Sequence, residues 1–176
     1  MTSSLSNGIL IRHATPTDVE SYRELRLEAL KNHPDAFGQD YIEAASNNQE
    51  YWENRLQIHP NENALFLAQE NTQLVGMAGV HRNTSQKAKH AAMIWGVYVK
   101  PNWRGRHISE SLVRSCLDWA KEQGLAIVKL AVVTTNQPAV RCYERCGFTI
   151  YGTEPKASIY DGVYYDGYLM AIEIEY

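Results

Sequence analysis

Two long apolar runs in the second half of the chain are typical of buried strands. Residues 91–101 (AAMIWGVYVKP) form an unbroken run, as expected for a strand covered on both faces, and residues 126–134 (AIVKLAVVT) form another. Between them, residues 109–124 repeat apolar positions at helical spacing and stop at Gly124, a natural helix end. This order predicts a strand–helix–strand crossover with two parallel strands.

The rest of the chain predicts further strands and helices around this unit. In TPTD (15–18), Thr15 is expected as the N-cap, Pro16 as the first helical residue and Asp18 in the capping-box position. No repeat and no linker interrupts the pattern, so the sequence predicts one α/β domain over residues 1–176 with a mixed sheet. The other strands are expected at 8–14, 64–69, 73–82, 148–152 and 164–176, and the other helices at 16–31, 49–59 and 138–147.

Charge and cysteine usage narrow the function classes. The 176 residues carry a formal net charge of -3, which gives no general reason to bind nucleic acid or an anionic membrane. The N-terminal apolar run is too short for a signal peptide or a membrane span. Cys116, Cys142 and Cys146 form no disulfide framework, which fits a reducing compartment. Cys142 and Cys146, four residues apart, are spaced as a metal pair, but no other Cys or His lies at ligand spacing nearby, so we expect packed thiols, no metal and a cytoplasmic location.

The loop in VKPNWRGRHISESLV (99–113) collects groups that suit an anion. It lies where a strand ends and a helix begins, the place where open α/β sheets bind ligands. The first helical turn leaves backbone N–H groups free, Gly105 allows close approach, and Arg104 and Arg106 can bind phosphate oxygens. The alternative is a solvated turn with two exposed arginines. The glycine patterns of dinucleotide-binding and NTP-hydrolysing loops are absent, so those activities have no support.

The same stretch resembles the pyrophosphate-binding signature of the GNAT superfamily of N-acetyltransferases. That signature is Arg or Gln, two residues, Gly, one residue, then Gly or Ala, and it falls here on Arg104, His107 and Ser109. His107 and Ser109 depart from it. The run NQPAVRCYERCGF (136–148) is similar to the family's second motif. The resemblance covers roughly the whole chain and is strongest over 91–148.

The resemblance implies a mixed central sheet with helices on both faces and a splay between the fourth strand (91–99) and the fifth (126–133). Acetyl-CoA would lie in that splay as cosubstrate, with no metal. A non-glycine residue at position 107 would cost about 1 kcal/mol if the backbone needs positive φ, although His tolerates that region better than most residues. The implied cofactor residues are Val97, Tyr98, Val99, Arg104, Gly105, Arg106, His107, Ile108, Ser109 and Asn136.

The family's chemistry assigns further roles. Tyr143 takes the position of the general acid that protonates the departing CoA thiolate, and an N–H near Val97 suits the oxyanion. Some relatives carry a Glu on the fourth strand as general base, and the equivalent position here is close to Met93, which cannot take a proton. The general base is therefore left open, with His81 and an ordered-water chain as the candidates.

The acceptor is expected to be a small-molecule or peptide amine. The acceptor side is expected to include Phe37, Tyr41, His81 and Tyr164. Glu43, Glu50 and Glu53 could attract a cationic amine, but a solvated acidic face explains them as well. Two alternatives stay open: a non-catalytic acyl-CoA-binding module, and a transferase for another acyl group or acceptor. A homodimer is compatible with the sequence.

Overall fold

A mixed β-sheet forms the centre of the computed structural model, which describes residues 3–4 and 8–175. Its main strands are β1 (Ile9–His13), β2 (Asn63–Glu70), β3 (Gln73–Arg82), β4 (Ala91–Val99), β5 (Ile127–Val133), β6 (Thr149–Tyr160) and β7 (Val163–Glu173). They lie in the order β1-β2-β3-β4-β5-β7-β6, and the two-residue strand Ser3–Ser4 pairs with the outer edge of β1.

The predicted splay between the fourth and fifth strands is confirmed. Strands β4 and β5 form the parallel pair of the described sheet. Although β4 has 9 residues and β5 has 7, their ladder contains only three residue pairs, from Ala91 with Ile127 to Met93 with Lys129. Beyond Met93 the two strands part, and their facing backbone edges have no ladder partner.

Helices cover both faces of the sheet, as expected. Side chains alternate across β2, so Leu65 and Leu67 join one core and Phe66 joins the other. We call these two sides the α1 face, covered by the first three helices, and the α4 face, covered by the last two. The helices are α1 (Val19–Asn32), α2 (Tyr41–Ala45), α3 (Gln49–Arg55), α4 (Ile108–Glu122) and α5 (Gln137–Arg145). Within the described residues, none of them is both long enough and apolar enough to cross a membrane.

Three elements differ from the sequence expectations. The helix expected over 49–59 ends at Arg55. Residues 41–45 form α2, which is too short for helical periodicity to reveal and begins where the Asp40 carboxylate caps the helix. The strand expected at 148–152 continues to Tyr160 as an arm paired with β7. Nearly all residues of this arm are exposed, so no alternation between core and solvent marks it in the sequence.

The capping box expected before the first helix is present and is tied to the sheet. The Asp18 carboxylate accepts a hydrogen bond from the Thr15 N–H at 2.7 Å and two from the Arg12 guanidinium at 2.7 and 2.8 Å. Arg12 lies on β1, so the ion pair joins the first strand to the start of α1. The Arg12 guanidinium holds the pKa of the Asp18 carboxyl below its ordinary value.

Substituting Asp18 tests this link between strand and helix. Asp18→Asn keeps the shape but removes the charge that Arg12 needs, so we expect a loss of about 1–3 kcal/mol in the free energy of unfolding at pH 7. The native pKa of Asp18 is lowered, so its contribution is complete above the ordinary pKa of about 3.9 and declines as pH falls through the native value. Urea unfolding from pH 7 to pH 3 should show the gap between wild type and variant narrowing below about pH 4. A gap independent of pH would contradict the charge-based explanation.

Candidate active site

A cavity of about 360 Å³ occupies the space where β4 and β5 part. Its walls are β4 from Ile94 to Val99, β5 from Leu130 to Val132, the loop before α4 with the start of that helix, one side of α5, and the segment after α1 that contains Phe37. The predicted cofactor residues that line it are Val97, Tyr98, Val99, Arg104, Gly105, His107, Ile108, Ser109 and Asn136. The diverging strands therefore bring nearly all of those residues to one place.

A bulge shapes the β4 wall. Met77 pairs with Tyr98 and Gly79 pairs with Trp95, so Ala78 alone faces two residues of β4, Gly96 and Val97. Gly96 has φ +66°, a conformation that residues with a side chain rarely adopt. The bulge redirects the backbone of β4 next to the cavity.

The loop before α4 carries a run of unpaired donors. Within the described chain, the backbone N–H groups of residues 105–110 donate to no backbone carbonyl, and the first bond of the helix end is Ser111 N–H to the His107 carbonyl at 3.1 Å. Side-chain acceptors for these N–H groups are likewise absent from the described hydrogen bonds. Successive free N–H groups at the start of a 15-residue helix form a concentrated positive potential. The arrangement suits an anion with several oxygens, such as a diphosphate.

The two loop arginines have different positions. The Arg104 Nε donates to the Val99 carbonyl at 3.0 Å, and its Nη2 lies 2.8 Å from Nε2 of His33, so its guanidinium is held against the cavity wall. Arg106 instead forms an ion pair with Glu70 at 3.2 Å and does not line the cavity. From the sequence alone, both arginines were expected to bind phosphate. The ion pair of Arg106 could not be foreseen, because its partner Glu70 lies at the end of β2, 36 residues earlier in the chain.

His107 adopts the left-handed conformation considered for this position. It is the residue before α4 and has φ 58° and ψ 19°. Its side chain is 73% exposed, and Nδ1 lies 3.0 Å from a Glu110 carboxylate oxygen that also accepts a hydrogen bond from Arg145. His107 therefore affects the loop through its backbone, since its ring points away from the core.

Tyr143 lies on α5 and lines the cavity. It is 8% exposed and packs edge-on against Phe148 with ring centroids 6.2 Å apart. Burial raises the pKa of the Tyr143 phenol above its ordinary value, so the hydroxyl stays protonated at neutral pH. A protonated hydroxyl beside the cavity can donate a proton there.

Two cysteines, Cys142 and Cys146, lie close to Tyr143 in the chain. The Cys142 Sγ is 3.4 Å from the Ser109 Oγ, and a hydrogen bond with Cys146 lowers the pKa of the Cys142 thiol. Both cysteines are free and buried. Among the described residues, no group of three His, Cys, Asp or Glu side chains is placed to hold a metal ion.

A second cavity of about 380 Å³ lies on the α1 face of the sheet. Its lining residues include Arg55, His81 and Trp95, and Trp95 lines the first cavity as well. An ideal Cβ on Gly79 would come within 2.2 Å of the Trp95 ring, so the indole lies directly on the glycine backbone. Trp95 therefore lines both cavities. The sequence did not predict this position, because Trp95 lies within a continuous apolar run and looks like a core residue.

The four residues expected on the acceptor side are not together. Phe37 lines the first cavity, and His81 lines the second, where burial lowers its pKa and keeps the ring neutral at pH 7. His81 pairs across the sheet with Met93. Tyr41 packs against the core of the α1 face, and Tyr164 is 58% exposed on β7 beside Lys156 of the arm, outside both cavities.

The sequence matches the model of the Acetyltransferase (GNAT) family over residues 22–148. It is 27% identical over 167 residues to the L-amino acid N-acetyltransferase AaaT of Escherichia coli (strain K12), which covers 93% of this chain and 96% of the relative. An acetyltransferase of the GNAT family from Streptococcus pneumoniae has a similar structure, with a TM-score of 0.85, 25% identity, and 94% and 99% of the two chains covered. The fold is also that of yncA from Salmonella typhimurium, solved with its cofactor acetyl-CoA: the TM-score is 0.81 and the identity 20%, over 96% of this chain and 95% of the other.

The backbone of His107 generates a stability prediction. His107→Gly removes about 1 kcal/mol of conformational strain but adds freedom to the unfolded chain, so we expect a free energy of unfolding within about 1 kcal/mol of wild type. His107→Val places a β-branched residue at positive φ and should lose about 1–2 kcal/mol. His107→Asn, which tolerates this conformation, is the control. Denaturant unfolding of the four proteins measures the order; a valine variant as stable as the glycine variant would mean that the loop relaxes.

Proposed function

Because the chain belongs to the Acetyltransferase (GNAT) family, we propose that it transfers the acetyl group of acetyl-CoA to a primary amine. The observation that carries the proposal is the run of free N–H groups at 105–110 beside the cavity between β4 and β5. Such a run of donors binds a diphosphate, and the cavity lies between the two strand edges that have no ladder partner.

The lining residues have separate parts in holding acetyl-CoA. The N–H groups of the loop and the Arg104 guanidinium would bind the diphosphate. Beyond Met93 the edge of β4 that faces the gap has no ladder partner, and at Val97 it would hydrogen-bond the amide-containing part of acetyl-CoA as a neighbouring strand does. The Val99 carbonyl already accepts the hydrogen bond from Arg104 Nε. From the other side, the side-chain oxygen Oδ1 of Asn136 accepts from the Ala139 N–H at 3.3 Å, and the side-chain NH₂ group would donate to the cofactor.

The transfer itself needs two groups near the thioester. As the amine nitrogen bonds to the carbonyl carbon, negative charge develops on the carbonyl oxygen, and the N–H of Val97 at the bulge would stabilise it. When the carbon–sulfur bond breaks, the thiolate takes a proton, and Tyr143 would supply it because its phenol is protonated and lines the cavity.

The acceptor is an ammonium ion at neutral pH, so a base must take a proton from it before the amine nitrogen can attack the thioester. His81 is neutral at pH 7 and lines the cavity on the α1 face, so it can accept this proton directly or through ordered water. Its cross-strand partner Met93 has no titratable group. The Escherichia coli relative is named an L-amino acid N-acetyltransferase, which makes amino acids the first acceptors to try. A cytoplasmic location and a homodimer stay predictions.

Thiol release with acetyl-CoA and a panel of amines tests the proposed function. We expect turnover with wild type and a fall in kcat of about 100-fold or more for Tyr143→Phe, because the leaving thiolate loses its proton donor. Tyr151→Phe, which removes the hydroxyl of a tyrosine exposed on the arm, is the matched control and should be unaffected.

Binding is measured separately from chemistry. Acetyl-CoA should raise the melting temperature of wild type and of Tyr143→Phe by similar amounts. Stabilisation without thiol release from any amine would instead indicate a non-catalytic acyl-CoA-binding protein. Full activity of Tyr143→Phe would remove the acid role from that residue.

A further inference from the structure

Arg26 is a buried cation without an ionic partner. It lies on α1, is 5% exposed, and belongs to none of the ion pairs found in the described chain. Its Nε and Nη1 have no hydrogen-bond partner among the described residues, and its Nη2 makes one long contact, 3.3 Å to the Gln39 side-chain oxygen. Burying an unpaired guanidinium is unfavourable, so a residue of this kind indicates a site for an anion.

The surroundings of Arg26 add positive charge. Burial lowers the pKa of Arg26, and the charge of Arg55 on α3 lowers it further. The hydrogen bonds of Arg55 itself are to the hydroxyls of Tyr22 and Tyr51, each at 3.3 Å. Its guanidinium also stacks over Trp95 at 4.7 Å. Two arginines thus share one partly apolar region, and neither is paired with a carboxylate within the described residues.

The Arg26 guanidinium lies directly behind the wall of the cavity between β4 and β5, covered by Phe37, and does not itself line the cavity. Its carbon lies 4.9 Å from the centre of the Phe37 ring, and its Nη1 would be 3.6 Å from a Cβ on Gly96. Phe37 and Gly96 both line the cavity. Gly96 precedes Val97, whose N–H is the proposed oxyanion donor, so a group held by Arg26 lies near the reacting amine.

The acidic residues of this region do not change the charge of the cavity. Glu43, Glu50 and Glu53 are exposed and line neither cavity. Glu28 is held by the Tyr98 hydroxyl at 3.0 Å and by Lys100 at 2.9 Å. The acceptor side is therefore cationic where it is buried, which disfavours a polycationic acceptor.

We propose that Arg26 receives a carboxylate of the acceptor, so that the protein acetylates amines that carry a carboxylate close to the amino group, as amino acids do. This inference rests on the proposed acetyl transfer and adds the acceptor class and the residue that selects it. Arg26 acts by binding the unreactive end of the acceptor, which orients the amine toward the thioester.

The wild-type protein tests the acceptor class without any substitution. Free L-amino acids are compared with their amides, which keep the α-amino group but lack the carboxylate, and with spermidine as a polycation. We expect kcat/KM for the free acids to exceed that for the amides by about 100-fold, and spermidine to be poorer still. Amides or spermidine used as well as the free acids would overturn the inference.

Variants of Arg26 test the residue. Arg26→Met keeps the length of the side chain and removes an unpaired buried charge, so the fold should be as stable as wild type or more stable. For free acids we expect kcat/KM to fall about 100-fold, with the KM for acetyl-CoA and kcat/KM for amides within threefold of wild type. Arg26→Lys should retain part of the preference for acids, and Arg23→Met on the same helix is the matched control. An equal loss for acids and amides would assign Arg26 a structural role only.

Calorimetric titration of an L-amino acid into the CoA-bound protein separates this inference from the proposed function. If no amine releases thiol, the acetyl-transfer proposal fails. Binding of the amino acid that is lost in Arg26→Met would still support the carboxylate site. Binding that is equal in the two proteins, or absent from both, would refute it.

Discussion

Strands β4 and β5 pair over only three residues and then part, and the cavity that gathers the candidate cofactor residues and Tyr143 depends on this separation. A continued ladder would fill the space with main-chain hydrogen bonds and leave no cavity. Each strand keeps a partner on its other side, β3 for β4 and β7 for β5, so the sheet stays continuous although β4 and β5 separate. The bulge at Gly96 and Val97 bends β4 at the same level.

The electrostatics of the site are local and do not follow the net charge of the chain. A formal charge of -3 would not suggest an anion-binding protein, yet two regions beside the cavity are positive for different reasons. In the loop before α4, the charge comes from oriented backbone N–H groups. On the α1 face it comes from the buried Arg26 and the half-buried Arg55, neither of which is paired with a carboxylate among the described residues. In the proposed function, the loop would hold the diphosphate of acetyl-CoA and Arg26 the carboxylate of the acceptor.

The fold and half of this site could be predicted from the sequence. Continuous apolar strands and the motif around Arg104 locate the cofactor side, because a strand end followed by a helix start is a local pattern. The acceptor side was less predictable. In the sequence Arg26 is an ordinary helix residue, and only the packing of α1 on the sheet buries it. The sequence likewise predicts Arg106 as a phosphate ligand, whereas in the structure it pairs with Glu70. These properties arise from contacts between distant segments, which no short motif records.

A crystal structure of the protein with acetyl-CoA tests the central claim most directly. We predict that the diphosphate oxygens accept hydrogen bonds from the backbone N–H groups of residues 105–110. The acyl-bearing part of acetyl-CoA should lie between β4 and β5, with the thioester next to Val97 and Tyr143. Electron density for the diphosphate away from this loop, or for the acyl-bearing part outside the gap between the two strands, would contradict the claim.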